Sequence, residues 1–247
     1  MSEKLYLTMV EDGISYYKRA LDASTSKNKA RLAKKSLEAL KRALHEAKKL
    51  DLDEKVDYLY EYITHVHMII AVEYHEINKL DKAVEFLNKA LSYNKRAPKN
   101  DVRKERAAII LSQLAFIAFR IKQYDRAMSM ASGALDAARK IKDDMRLDLL
   151  IKLNPIFIEG LDVKQVKKNY KKMVKLAKKS DDQGRRGKIY FEYAKYLFEV
   201  DKKYKKCKKY LDKAMSIFDD LGEINAAKFL SQWENQHFDD DGKPISE

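Results

Sequence analysis

The stretch that most narrows what this chain can become is residues 71–91, AVEYHEINKLDKAVEFLNKAL. It reads as one helix, a tight turn at Asn78-Lys79-Leu80-Asp81, and a second helix. Ala71, Tyr74 and Ile77 share a face of the first helix, and Ala83, Leu87 and Ala90 share a face of the second. Alanines at the contact let two helices approach closely, while Tyr74, Leu80 and Leu87 fill the space left between them. One such hairpin cannot hide both apolar faces, so it calls for neighbours of the same kind. Alanines that end equivalent second helices recur at Ala43, Ala90, Ala134, Ala177 and Ala214, at intervals of 47, 44, 43 and 37. That drift fits helix pairs joined by loops of variable length.

The rest of the 247-residue chain is consistent with helix throughout. The boundaries follow from caps and breakers. Helices are expected over 3–22, 29–50, from Asp51 or Asp53 to about 78, and from an Asp81 cap to just before Pro98. A fifth over 101–122 is apolar nearly all round and belongs at the centre of the stack. Pro155 should kink or break the seventh helix, about 144–160, because proline removes an internal hydrogen bond. Asp162 opens the eighth, and Gly184 and Gly187 fall in a loop or frayed first turn of the ninth. Gly13 weakens the middle of the first helix by about 1 kcal/mol relative to alanine. The last helix, 223–236, looks like a lid on the final hairpin, and residues 237–247 are expected to be a disordered acidic tail.

Seven glycines and three prolines are few for this length, and a charged fraction of 36% beside 45% hydrophobic suits a water-soluble helical protein. No apolar run reaches the length of a membrane span, and the N-terminus lacks the pattern of a secretory signal. Cys207 is the single cysteine, which removes a disulfide framework and points to a reducing, cytoplasmic setting. It sits at a packing position and reads as an inert core thiol.

Three second-helix patterns superpose: Ala83, Leu87, Ala90; Ala127, Ala131, Ala134; Cys207, Leu211, Ala214. Leu80, Tyr124 or Tyr204 precedes each. On these residues, together with Ala71, Tyr74 and Ala115, the chain resembles the tetratricopeptide repeat family. The resemblance covers two or three hairpins well and the first and fourth faintly. It departs from the family in lacking the Trp and Leu-Gly of the first helix and the Pro after the second, and its spacing exceeds the usual 34 residues. The resemblance implies an all-α, right-handed superhelix, a solenoid of about five antiparallel helix hairpins plus a C-terminal capping helix, as one domain over 1–236. It also implies a concave face, lined by first helices, that holds a peptide or partner protein. Some members grip a peptide carboxylate with Lys, Asn and Arg. The matching positions here are Met68, Val72, Gln113, Glu192 and Tyr196, so that clamp is absent.

The positions that would line the groove are Tyr62, His65, Met68, His75, Phe116, Arg120, Tyr193 and Tyr196. Such a surface suits an amphipathic helix or an extended segment with apolar anchors. The same residues also fit core contacts in lengthened helices. A second feature is charge: residues 161–215 hold 19 Lys or Arg against 7 Asp or Glu, nearly all of the net +13. Lys164, Lys168, Lys171, Lys172 and Lys175 decorate one helix, and Lys202, Lys205, Lys206 and Lys209 decorate another. If these helices stack side by side, they make a field able to attract nucleic acid, anionic lipid or an acidic partner. A plainly solvated lysine face is the competing reading.

Catalytic and metal chemistry find no foothold. His65, His67 and His75 share a helix at separations of two, eight and ten, not the i, i+4 spacing of a helical metal pair. His237 with Asp239, Asp240, Asp241 and Gly242 lacks the first acidic ligand and final Glu of a calcium loop. No cofactor, metal or catalytic set is therefore expected. The expectation is a non-enzymatic scaffold or adaptor that binds a partner segment in a helical groove. The alternative is a non-specific nucleic-acid or anionic-surface binder acting through the lysine-rich helices.

Overall fold

The computed structural model describes residues 3–239 and 241–245. Among them the chain is all-α, with eleven helices in sequence and one isolated β-bridge between Phe238 and Pro244. The helices are α1 (Glu3–Leu21), α2 (Ser26–Lys49), α3 (Asp53–Glu76), α4 (Leu80–Arg96), α5 (Asp101–Arg120), α6 (Tyr124–Ala137), α7 (Asp143–Glu159), α8 (Val163–Ala177), α9 (Gln183–Glu199), α10 (Tyr204–Asp220) and α11 (Ile224–His237). A short 3-10 turn follows α6. The chain divides into two compact units, 1–141 and 142–247.

Within the first unit each helix packs on its sequence neighbours, from α1 on α2 through α5 on α6. One core gathers Leu37, Leu40, Leu44, Leu59, Ile63, Val66 and Ile70. A second joins Ala71, Ala83, Leu87 and Ala90 to Ile110, Leu114 and Ile117 of α5. In the second unit α7 packs on α8, α8 on α9, α9 on α10, and α10 on α11. Trp233 of α11 is buried against Phe191 and Phe198, as a lid on the last pair requires.

The recurring alanines do what their size allows. Ala43, Ala90, Ala134, Ala177 and Ala214 are all fully buried, one in each second helix. A larger side chain at any of them would hold the paired helix off. The turns inside pairs two to five share a further mark. Asn78, Lys122, Leu161 and Lys202 each adopt a left-handed backbone, at φ 56, 60, 58 and 50°. The next residue's N–H turns back to a carbonyl in the last turn of the preceding helix: Lys79 to Tyr74, Gln123 to Ala118, Asp162 to Phe157 and Lys203 to Leu197. This closes the helix end with otherwise orphaned carbonyls satisfied.

Several local expectations change. Asp81 does not cap α4, because the left-handed Asn78 brings the helix in two residues earlier and Asp81 falls in the first turn, where its charge still favours the positive helix end. Neither Asp51 nor Asp53 caps α3. Asp51 is left-handed at φ 51°, Leu52 holds the cap position, and Asp53 is already helical. Side-chain caps do form at Thr25, Asn100, Asp162 and Asp182. Pro155 does not end α7, which runs on to Glu159. Gly184 lies in the first turn of α9, within the expected range, while Gly187 lies beyond that turn inside the helix. Of the expected tail, residues 237–239 and 241–245 turn back through the Phe238–Pro244 bridge, with Phe238 buried beside Phe198, while Asp240, Ser246 and Glu247 lie outside the described residues.

Candidate partner groove

In the first unit, α3 and α5 present matching stripes. On α3, Glu61, His65, Met68, Val72 and His75 recur at four, three, four and three. On α5, Arg106, Gln113, Phe116 and Arg120 recur at seven, three and four. Side chains three or four apart share a helix face, so each set forms one line. Polar pairs join the two lines at both ends. At one end the Arg106 Nη2 donates to Glu61 Oε1 at 2.6 Å, with Arg106 almost wholly buried. At the other, Arg120 sits 2.8 Å from His75 Nε2 and donates to Asn78 Oδ1 at 3.3 Å. A guanidinium only donates, so His75 accepts at Nε2 and carries its proton on Nδ1.

Between these ends the surface is hollow. One cleft of about 280 Å³ is lined by Val72, His75, Gln113 and Phe116, with Leu87 of α4 beneath. Another of about 320 Å³ is lined by His65, Met68, Ile69, Val72, Glu73 and Gln113, with Lys29 of α2 and Tyr17 of α1 at its edge. Val72 and Gln113 line both, so the two clefts adjoin. Burial first, then the nearby Arg106, holds His65 below its ordinary pKa against the opposing pull of Glu61. Its ring is therefore neutral near pH 7.

Five of the eight residues expected in the groove, His65, Met68, His75, Phe116 and Arg120, thus meet on this face. Tyr62 lines neither cleft: its ring packs edge-on to Tyr17, at the edge of the second, at 5.4 Å and against Tyr58 at 4.8 Å. Tyr193 corrects the expectation outright. It is 1% exposed, held between Tyr170 and Tyr210, because α9 needs a large ring where it crosses both α8 and α10. Tyr196 is 5% exposed, and its hydroxyl donates to the Val163 carbonyl at 3.4 Å. It borders a cleft of about 390 Å³ in the second unit, next to one of about 400 Å³ edged by Ile151, Pro155, Ile158 and Glu192. Pro155 has no N–H for the Ile151 carbonyl, and both residues line that second cleft. Glu61 and Arg106 lie outside the expected groove set, and Val72 and Gln113 enter the sequence reading only as positions of the absent carboxylate clamp. Extending the His65 and Phe116 stripes by whole turns would have found them.

The lysines divide by environment. Lys164, Lys168, Lys171 and Lys175 form an exposed stripe along α8, spaced four, three and four, while Lys172 is half-buried. Lys205, Lys206 and Lys209 are exposed on α10, and Lys202 is exposed in the turn before it. Helices α8 and α10 both pack on α9, and the rings of Tyr170, Tyr193 and Tyr210 run from one to the other across it. Lys206 lies 3.4 Å from the Tyr193 hydroxyl. Lys167 and Lys203 are instead drawn to Asp201, at 2.9 and 3.6 Å. Burial raises the Asp201 pKa, but these two ammonium groups outweigh it and hold the carboxyl below its usual range. Cys207 is fully buried, and burial pushes its thiol up to about 12, so it stays a protonated, shielded thiol at neutral pH. Among the described residues, no group of three His, Cys, Asp or Glu is placed to hold a metal, and no helix is long and apolar enough to cross a membrane.

No family model matches the sequence, and no curated protein matches it. Solved structures do. BtubC (BKLC) from P. vanneervenii aligns over 89% of this chain and 92% of its own, at TM-score 0.56 and 14% identity. Putative kinesin light chain nearly identical TPR-like repeats from Podosopora anserina align over 90% of this chain and all of theirs, at TM-score 0.57 and 14% identity. The fold is that of the tetratricopeptide-like helical repeats. PilF from Pseudomonas aeruginosa shares this repeat fold over 94% of this chain and 90% of its own, at TM-score 0.51 and 15% identity. At such identities the tetratricopeptide-like likeness concerns the backbone alone.

Proposed function

We propose that this chain is a non-enzymatic scaffold that captures a segment of a partner protein in the α3–α5 groove. The observation that carries this reading is the pair of facing stripes, pinned by Arg106–Glu61 and Arg120–His75, with an apolar hollow between them. Polar ends and an apolar middle suit an amphipathic helix or extended strand whose anchors are spaced to drop into successive clefts. Phe116 and Met68 are only partly buried, and Val72 is 38% exposed, so this apolar surface is available without unfolding anything.

Selection of a random 12-residue peptide library on the immobilised chain tests the reading. Enriched peptides should carry apolar anchors. Phe116→Ala should weaken a chosen peptide about tenfold or more, as removal of a central aromatic contact does, with little change in thermal midpoint. No enrichment, or an unchanged affinity in the Phe116→Ala chain, would sink the groove.

A second reading is supported by the exposed lysine stripe of α8 and the lysines of α10: binding to nucleic acid or an anionic surface. Such binding would be sequence-independent and fall steeply with salt. Generic DNA and RNA titrated from low to physiological salt decide it. Changing Lys168, Lys171 and Lys175 to Glu should abolish any retention, and no binding at low salt removes this option.

A further inference from the structure

We infer that the groove selects a partner segment carrying one basic side chain, whose cationic head is held by Glu73 and Gln113. This rests on the groove reading above and goes beyond it. Glu73 is 6% exposed. Its Oε1 lies 3.7 Å from the Lys29 ammonium, an ion-pair distance too long for a hydrogen bond, and its Oε2 is buried with no hydrogen-bond partner among the described residues. Gln113 leaves its own Oε1 buried and equally unpartnered. Both side chains line the same 320 Å³ cleft.

A buried acceptor without a donor is costly, and a carboxylate oxygen more so than an amide. Two such acceptors on one hollow, one of them charged, define what completes it: a group with several N–H donors and a positive charge. Guanidinium and ammonium heads meet that description. The walls supply the rest, because Met68, Ile69 and Val72 offer apolar surface for the methylene stem of an Arg or Lys side chain. Two unpartnered acceptors disfavour a carboxylate or phosphate there, and an aliphatic side chain would leave both without a donor. Lys29 does not occupy the position. It is about one-third exposed and its ammonium lies nearest Oε1, so Oε2 is left without a donor. The polarity is opposite to that of a carboxylate clamp: here the scaffold supplies acceptors and the partner supplies the donors.

The peptide selection described above carries the test. Enriched sequences should share one basic position among their apolar anchors. For one synthesised peptide, exchanging that Arg for citrulline keeps the shape and removes the charge. It should weaken binding to the native chain about tenfold or more, the range of a charge-assisted hydrogen bond. The same exchange should matter less than about twofold for Glu73→Gln, checked for helicity and thermal midpoint by circular dichroism. Gln113→Leu, which leaves the Lys29 pair untouched, should also shrink the difference. Spermidine and free arginine, added as competitors, should displace the peptide only weakly. Peptides without a common basic position, an Arg-to-citrulline effect that survives in Glu73→Gln, or equal binding of the two peptides would each overturn the inference while leaving the groove standing. An empty selection would overturn the groove itself. Tight Glu73-dependent binding of spermidine with no enriched peptide would assign the cation to a small molecule instead, against this inference.

Discussion

His67 is the residue whose chemistry most clearly depends on the fold. It is fully buried between the rings of Tyr93 and Phe86, and neither ring nitrogen has a hydrogen-bond partner among the described residues. Burial first, then the fields of Lys41 and Lys89, pushes its pKa down to about 3. In the unfolded chain it titrates near 6.5. The unfolded state therefore binds more protons below that pH, and stability from this group, complete above about 6.5, is lost as pH falls towards 3. The loss is about 1.4 kcal/mol per pH unit over that window. Thermal midpoints measured from pH 7 to pH 5 should fall, and His67→Leu should flatten the fall. An equally steep fall in the variant would show that other groups carry it. Leu161 offers a second test. It is 83% exposed and left-handed at φ 58°, a conformation that costs a side-chain-bearing residue about 1–2 kcal/mol. Leu161→Gly should relieve that cost, against about 0.5–1 kcal/mol of added chain entropy. The net expectation is a stabilisation of about 0.5–1 kcal/mol in denaturant titrations, with Leu161→Ile moving the other way.

At the scale of helix pairs, two glycines set how closely partners approach. A Cβ on Gly13 would meet Leu40 side-chain carbons at 2.7 Å, and the Gly13 carbonyl accepts from Ser36 Oγ at 2.7 Å. A Cβ on Gly187 would meet the Phe218 ring at 2.9 Å. By propensity alone each Gly→Ala change would favour the helix by about 1 kcal/mol. Overpacking costs about 1–3 kcal/mol and wins where the neighbour cannot yield. Leu40 and Phe218 are both buried, so Gly13→Ala and Gly187→Ala should each lower stability by about 1 kcal/mol in urea denaturation. A gain in stability at either site would mean the pair has slack that the distances deny. In the sequence Gly13 looks like a flaw in a helix; in the fold it is the contact point with α2.

At the scale of the whole chain, the repeat logic bears on cooperativity. Stacked pairs gain stability from nearest neighbours, and a block with its own core can stand by itself. Residues 1–141 hold two such cores, around Ile63 and around Leu87. Expressed alone, that fragment should show a helical circular dichroism spectrum and a cooperative melt. If it does not, the reading of residues 1–236 as a single domain gains by it, since the first unit would then need the rest of the array.

Helix pairing was legible from the amino acids because it depends on local quantities: apolar spacing, caps, and alanines where backbones touch. Asp162 and the series from Ala43 to Ala214 could be placed without coordinates. The left-handed turn residues could not, since of Asn78, Lys122, Leu161 and Lys202 only Asn belongs to a type that favours that backbone. Nor could Tyr193 be told from Phe116. Both are aromatics on first helices, and only the crossing of α9 with α8 and α10 decides that one is core, while α3 facing α5 decides that the other is surface. Sequence by itself determined where the helices lie, how they pair, and which small residues sit at their contacts. Tertiary structure alone decided which stripes face each other, and so which acceptors, Glu73 and Gln113, end up sharing one cleft with no donor, because that depends on helices distant in sequence meeting across a gap.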